Sequence, residues 1–295
     1  MRVLWLQDID PFCQQGGAQL SDHACILEGI RRGHEVVIGL PEYVREGALE
    51  HSDLVVVSNA TRFDARFLVR AAERRPYVMY LHDYWPLCKY RLYYPMLEKC
   101  RRCGSLGFAR RMLLGSSLNV FLSPLHLDAW AFVIPELRGH PRHLHPSPVD
   151  TERFRPTGSR RVPNTVLGVN CLLPFKGAER VLEYAAQHPE LSFTFVGARG
   201  NAKLPGNCRF LGYVPNERMP ELYSTCEYFV HLPKSPQPCE RTAIEAKLCG
   251  AKLIINPLVG AASYDWFRRD VETVRKHIRG APAKFWESIE REVTG

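Results

Sequence analysis

The 295-residue sequence has no run of 18 apolar residues, which excludes a membrane-spanning helix. Nothing in the opening MRVLWLQDIDPF reads as a signal peptide, because acidic residues arrive before any long apolar core. The expectation is a soluble, cytoplasmic protein, with peripheral contact at an inner membrane surface left open. Internal repeats and low-complexity tracts are also missing, so repeat architectures and disordered chains drop out. Acidic residues are scarce in one place above all: between positions 89 and 111, Lys89, Arg91, Lys99, Arg101, Arg102, Arg110 and Arg111 face only Glu98. That segment carries a surplus of six positive charges out of a net +8 for the chain.

What is present fits a well-buried globular protein of about two domains, with 45% hydrophobic and 24% charged residues. The ten cysteines, without a secretory signal, read as reduced thiols or metal ligands rather than a disulfide framework. Short β-branched or apolar runs alternate with helical stretches: Val3–Leu6, Glu35–Gly39, Asp53–Val57, Tyr77–Leu81, Asn119–Leu122 and, more weakly, Arg142–His145. The pattern restarts after HPSPVDTERFRPTGSRRVPNT with Val166–Val169, Phe193–Val196, Arg209–Leu211, Tyr228–His231 and Lys252–Ile255. Such alternation implies two parallel-sheet α/β units joined near residue 150 through a proline-rich linker. Ligands of these sheets bind beyond the carboxyl ends of the strands, so a cleft between the units is the expected site. The tail from Ser263 to Val293 reads as two amphipathic helices broken around RGAPA.

Several motifs sit on this frame. QQGGAQLSDHACILEGIRRGHEVVIG places Gly16 and Gly17 after the first strand, where a glycine turn opens a helix and lets a ligand approach backbone amides, although a plain turn would look the same. HDYW, His82 to Trp85, follows the fourth strand. HPSPVDTERFRP carries Val149, Asp150, Phe154 and Pro156; GVNCLLPFKGAERVLEYA carries Asn170 and Lys176; QPCERTAIEAKLCG carries Gln237, Glu240, Arg241, Thr242 and Glu245. Together these stretches resemble the GT-B glycosyltransferases, in particular the retaining family-4 group that uses nucleotide sugars, over most of the chain.

The resemblance implies two Rossmann-like domains facing a central cleft, with C-terminal helices: an acceptor-binding domain over 1–150, a nucleotide-sugar domain over 151–262, and helices over 263–295 that pack back across the domains. It implies that His82 stands at the active-site histidine position, contacting a sugar hydroxyl, with Asp83 and Tyr84 on the acceptor side. It places the donor against Gly17, Asn170, Lys176, Gln237, Arg241, Thr242 and Glu245, and makes Lys176 a catalytic cation for the departing diphosphate. In the hinge Ser147 and Pro148 replace the family's Asn-Gly pair, and three donor-site residues depart from the pattern as well. Asn170 replaces an arginine, Gln237 replaces the first of two glutamates eight residues apart, and Glu240 replaces a glycine. Gln237 keeps one acceptor and two donors for a sugar. Glu240 would oppose a diphosphate unless it turns away, while Arg241 could restore the charge missing at Asn170. Glu245 keeps the position that accepts from ribose hydroxyls.

Cys88, Cys100 and Cys103 in CKYRLYYPMLEKCRRCGS suit three ligands of a structural zinc or three free thiols. Tyr90, Tyr93, Tyr94 and Phe108 interleave with the basic residues there, a composition that suits a polyanion, with Lys89, Arg91, Arg101 and Arg102 on the acceptor side. A phosphate-bearing lipid carrier and a nucleic acid fit equally, and so does a solvated loop.

The reading is a retaining hexosyltransferase-type enzyme with a UDP- or GDP-sugar donor and a saccharide acceptor, lipid-linked or part of an envelope. No cofactor is expected in catalysis, since no compelling Asp-x-Asp offers a metal grip. Two alternatives stay open: a glycosyltransferase acting on a modified base in DNA, and a non-catalytic binder of sugar nucleotides. The oligomeric state is not legible.

Overall fold

The computed structural model describes residues 1–13, 16–88 and 106–294. Lys89, Arg91, Cys100, Arg101, Arg102 and Cys103 therefore lie outside the described residues. The chain forms two compact units, Met1–Pro148 with Gly280–Gly295, and Val149–Arg279.

The first unit is built on β1 (Arg2–Leu6), β2 (Glu35–Gly39), β3 (Leu54–Val57), β4 (Tyr77–Leu81), β5 (Leu118–Phe121) and β6 (Arg142–Leu144). They form one parallel sheet in the order β2-β1-β3-β4-β5-β6. β3, β4 and β5 are buried along their whole length, the mark of strands covered on both faces. One face carries Leu4, Leu6, Val55, Val57, Met79 and Leu81 into a core with Leu113 and Trp130. On the other face Trp5 and Tyr80 meet Phe285, and Trp5 also meets Trp286, with ring centroids 5.1–6.3 Å apart. The helix α1 (Gly17–Arg31) lies on this second face because Gly29 removes a side chain where the indole of Trp286 must pass; a β-carbon there would collide with the ring. The Trp286 indole then donates to the carbonyl of Cys25 at 2.7 Å.

The second unit contains β7 (Val162–Val169), β8 (Ser192–Val196), β9 (Cys208–Phe210), β10 (Cys226–His231) and β11 (Lys252–Ile255), parallel in the order β11-β10-β7-β8-β9. Phe193 and Phe195 stack in its core with Val166, Val181 and Val230. The stretch expected as a linker is instead fastened to this unit from Val149 onward. Phe154 is 1% exposed against Tyr223, Asp150 caps the amides of Glu152 and Arg153, and Arg161 binds the carbonyls of Cys226 and Cys249. A buried aromatic outweighs the loop-forming tendency of the surrounding prolines and charges. Of the tail, the helix Val271–Arg279 belongs to the second unit and the helix Ala281–Thr294 to the first, with Gly280 between them.

In each sheet the strand order reverses once, between β1 and β3 in the first and between β7 and β10 in the second. Crossovers leave these two points in opposite directions and open a crevice at the carboxyl ends of the strands.

Candidate active site

At the reversal in the first sheet, three polar side chains close on one another. Asp22 projects from α1 with its carboxylate fully buried; Ser58, just past β3, donates to it at 2.8 Å; and Nε2 of His82, just past β4, lies 2.9 Å from Asp22 Oδ1 and 3.0 Å from Ser58 Oγ. With Nε2 turned onto the Asp22 carboxylate, Nε2 is the ring nitrogen placed to donate, and Nδ1 is left to face a ligand. The His82 side chain is 5% exposed and its ring lies 4.1 Å from that of Tyr80. The glycine pair opens α1 without a side-chain cap, and a β-carbon at Gly17 would meet nothing within 4 Å.

The other acceptor-side residues have local duties. Asp83 Oδ1 accepts from the amide of Trp85, and Tyr84 is a core side chain, edge-on to His126. His126 takes a hydrogen bond from the Leu122 amide on Nδ1, and burial pushes its pKa down to about 3, so it is a neutral core histidine. Cys88 is buried as a thiol, and Cys100 and Cys103, its proposed partners, lie outside the described residues, as do Lys89, Arg91, Arg101 and Arg102. No cluster of three or more metal-ligating side chains occurs among the described residues. The one Asp-x-Asp of the chain, Asp8–Ile9–Asp10, follows β1; Asp8 accepts from the amides of Thr61 and Arg62, and Asp10 from that of Phe12.

At the reversal in the second sheet, the loops after β7 and β10 bring the donor motifs together. Asn170 has a left-handed backbone (φ 51°) that asparagine tolerates better than arginine, and its side chain accepts from the amide of Ala198 at 2.9 Å. Six residues on, Lys176 is followed by Gly177 at φ 88°, where any side chain would strike the Leu232 carbonyl. Lys176 Nζ lies 2.7 Å from Oε2 of Glu240. Glu240 turns inward rather than away: its side chain is 6% exposed, Oε1 accepts from Thr242 Oγ1 at 2.8 Å, and His231 Nε2 stands 3.1 Å from Oε2. Burial alone would raise this carboxyl, but the neighbouring charges of His231 and Lys176 outweigh it and hold its pKa well below the ordinary range. His231 is fully buried, with Nε2 against Glu240 and no partner for Nδ1 among the described residues.

Glu245, four residues along the helix Arg241–Leu248, is 5% exposed and accepts from Arg241 Nε at 2.8 Å and from the Tyr223 hydroxyl at 3.1 Å. Burial raises its pKa, opposed by Arg241. Arg241 thus faces Glu245, at the other end of a local pair from Asn170's loop. Gln237 is 7% exposed, its amide donating to the Ser235 carbonyl at 3.2 Å. Sequence reasoning passed over Asp22, Ser58 and His231. Each carried a signal: Asp22 interrupts the buried side of α1 beside Cys25 and Ile26, while Ser58 and His231 stand at the carboxyl ends of apolar strand runs.

These features define a class. The two parallel-sheet α/β units with their helices match the architecture of GT-B glycosyltransferases, and three solved structures show it at low sequence identity. Sucrose-phosphate synthase from Thermosynechococcus elongatus shares 15% identity at a TM-score of 0.73, covering 100% of this chain and 99% of that one. HepE from Anabaena, solved with UDP-glucose, shares 17% at 0.62, covering 100% and 98%. An alpha-glucosyltransferase solved with UDP and a 13-mer DNA containing an HMU base shares 14% at 0.58, covering 100% and 93%. More particularly, residues 149–264, which hold every donor-side residue of the second unit named above, match the family model described as Glycosyl transferases group 1. No curated protein matches the chain.

Proposed function

We propose that the chain is a glycosyltransferase that moves a hexosyl group from a nucleotide sugar to an acceptor hydroxyl with retention of configuration. The observation that carries this reading is the group 1 match over residues 149–264, whose donor motifs converge at the strand-order reversal of the second sheet. Lys176 and the amino end of the helix Arg241–Leu248 supply positive potential for the diphosphate, Glu245 serves the ribose hydroxyls, and Gln237 offers its amide to the sugar. In the first unit, Gly17 lets a ligand approach the start of α1, and His82, its proton fixed on Nε2 by Asp22, accepts from a hydroxyl through Nδ1. Charge stabilisation of the departing diphosphate is the main catalytic contribution asked of these residues, and the diphosphate itself takes the acceptor proton. The favoured donors are UDP- and GDP-sugars; HepE was solved with UDP-glucose.

The test is a thermal-shift and hydrolysis panel over UDP-, GDP-, ADP-, CMP- and dTDP-sugars, comparing wild type with Lys176→Ala and Glu245→Gln. Glutamine is chosen at 245 so that the Tyr223 hydroxyl keeps an acceptor. One donor that stabilises the wild type and is hydrolysed by it, with both activities reduced in the variants, supports the transferase. A donor bound but never hydrolysed supports a non-catalytic binder. The anomeric configuration of the released product, read by NMR, tests retention.

A second reading has one observation of its own. The alpha-glucosyltransferase solved with DNA shares this fold, and residues 89–111 concentrate most of the chain's surplus positive charge. Transfer to a modified DNA base predicts duplex binding that weakens steeply with salt. Salt-insensitive or absent DNA binding leaves the saccharide acceptor, lipid-linked or free.

A further inference from the structure

The donor half-site has an unusual charge balance. Lys176 is cancelled by Glu240, Arg241 is paired with Glu245, and Asn170 is neutral, so the side chains named for a doubly negative leaving group offer it no net positive charge. Glu240 is also anchored in a costly conformation. It precedes the helix Arg241–Leu248 with φ 67° and ψ 78°, a left-handed backbone that favours glycine, the residue the resembling family carries there. Its carboxylate nevertheless collects a lysine, a threonine hydroxyl and the edge of a buried histidine at the amino end of a helix. A helix start with a lysine is a setting that binds phosphate oxygens. His231, fully buried, sets its Nε2 3.1 Å from the same Glu240 oxygen and so competes with Lys176 for it.

We propose that Glu240 is an internal counter-anion that competes with the donor diphosphate for Lys176, so that this chain binds its nucleotide only as Glu240 yields that lysine. The inference rests on the donor reading above and deepens it by naming the residue that sets donor affinity. On binding, a phosphate oxygen takes the Lys176 contact and the Glu240 carboxylate keeps Thr242. His231 then faces a carboxylate released from its lysine. Glu240→Gln preserves the shape and the Thr242 hydrogen bond while removing the competing charge, and Glu240→Gly suits the left-handed backbone.

The experiment is calorimetric titration of UDP, GDP and ADP, with uridine as a phosphate-free control, into wild type, E240Q, E240G, K176M and the E240Q/K176M pair, each checked for a cooperative thermal transition. The expected result is a nucleoside diphosphate Kd roughly tenfold lower in E240Q and E240G, about 1.4 kcal/mol, with uridine binding unchanged. In the K176M background the gain shrinks, because the two substitutions share one ion pair. If wild type binds a diphosphate and both Glu240 variants bind it equally or more weakly, the inference is overturned while the donor reading stands. A weaker Kd in E240Q would make Glu240 a donor ligand rather than a competitor. Full additivity of E240Q and K176M overturns competition through Lys176. If no variant and no wild type binds any of the three nucleotides, the donor reading and this inference both fail.

Discussion

Asp22 and Glu240 are both buried carboxylates, and they differ in what they hold. Asp22 holds a histidine and a serine at the carboxyl ends of β3 and β4, whereas Glu240 holds a cation. The first arrangement sets which ring nitrogen of His82 bears a proton. Asp22→Asn replaces an obligate acceptor with a group that can also donate, so the ring can flip its proton to Nδ1. The expected result is a kcat lower by about 10–100-fold with donor KM little changed, the scale of loss that follows small misplacement of a reacting group. A purely structural Asp22 would instead lower the melting temperature and leave kcat intact in the surviving folded protein. Among the sequence-designated residues, His82, Lys176 and Glu245 were legible because each stands beside a strand end or helix start. Asp22 and Ser58, the partners of His82, were not, since pairing across 24 to 60 residues depends on which strands become neighbours.

At the scale of elements, the helix Ala281–Thr294 is held to the first sheet by one aromatic cluster and a polar edge. Trp286 fills the notch left by Gly29 and binds Cys25, while Arg32 and His34 reach Glu290 at 2.9 and 3.0 Å. These half-buried contacts supplement the fully buried indole, which carries most of the packing. Trp286→Ala is expected to cost about 3–5 kcal/mol through the cavity and the lost hydrogen bond. Limited proteolysis should then cut within residues 280–294 well before the second unit is attacked; equal protection in the variant would show that the helix is held by something else. The sequence marked the helix and its break at RGAPA from amphipathic spacing. Similar apolar stripes on both halves did not say which helix belongs to which unit.

At the scale of the whole molecule, the two units should respond differently to acid. His126, His143 and His145 all lie in the first unit, and burial lowers all three: His126 to about 3, His143 to about 4, and His145 well below its ordinary value. Above pH 6.5 they are neutral folded and unfolded alike, so their full stabilising contribution is present. As pH falls below 6.5 the unfolded chain takes up protons that the folded unit refuses, and stability is lost down to about pH 3–4. In the second unit the depressed carboxyl of Glu240 loses its contribution only as pH falls below the ordinary glutamate value of 4.5. Calorimetry between pH 7 and 5 should therefore move the first unit's transition down by roughly 5–10 °C while the second's holds. Parallel shifts in both transitions would contradict this assignment of the buried histidines.

The sequence by itself determined the alternating α/β plan and the positions of the strands to within a few residues. These follow from local periodicity and turn chemistry, which neighbouring residues carry between them. Only the tertiary structure decided that Glu240 turns inward onto Lys176, that Arg241 answers Glu245 rather than the missing arginine, and that Asp22 orients His82. Side-chain direction at a helix start depends on a single backbone angle and on what the next strand presents, and a buried charge settles on whichever opposite charge the sheet order brings within reach.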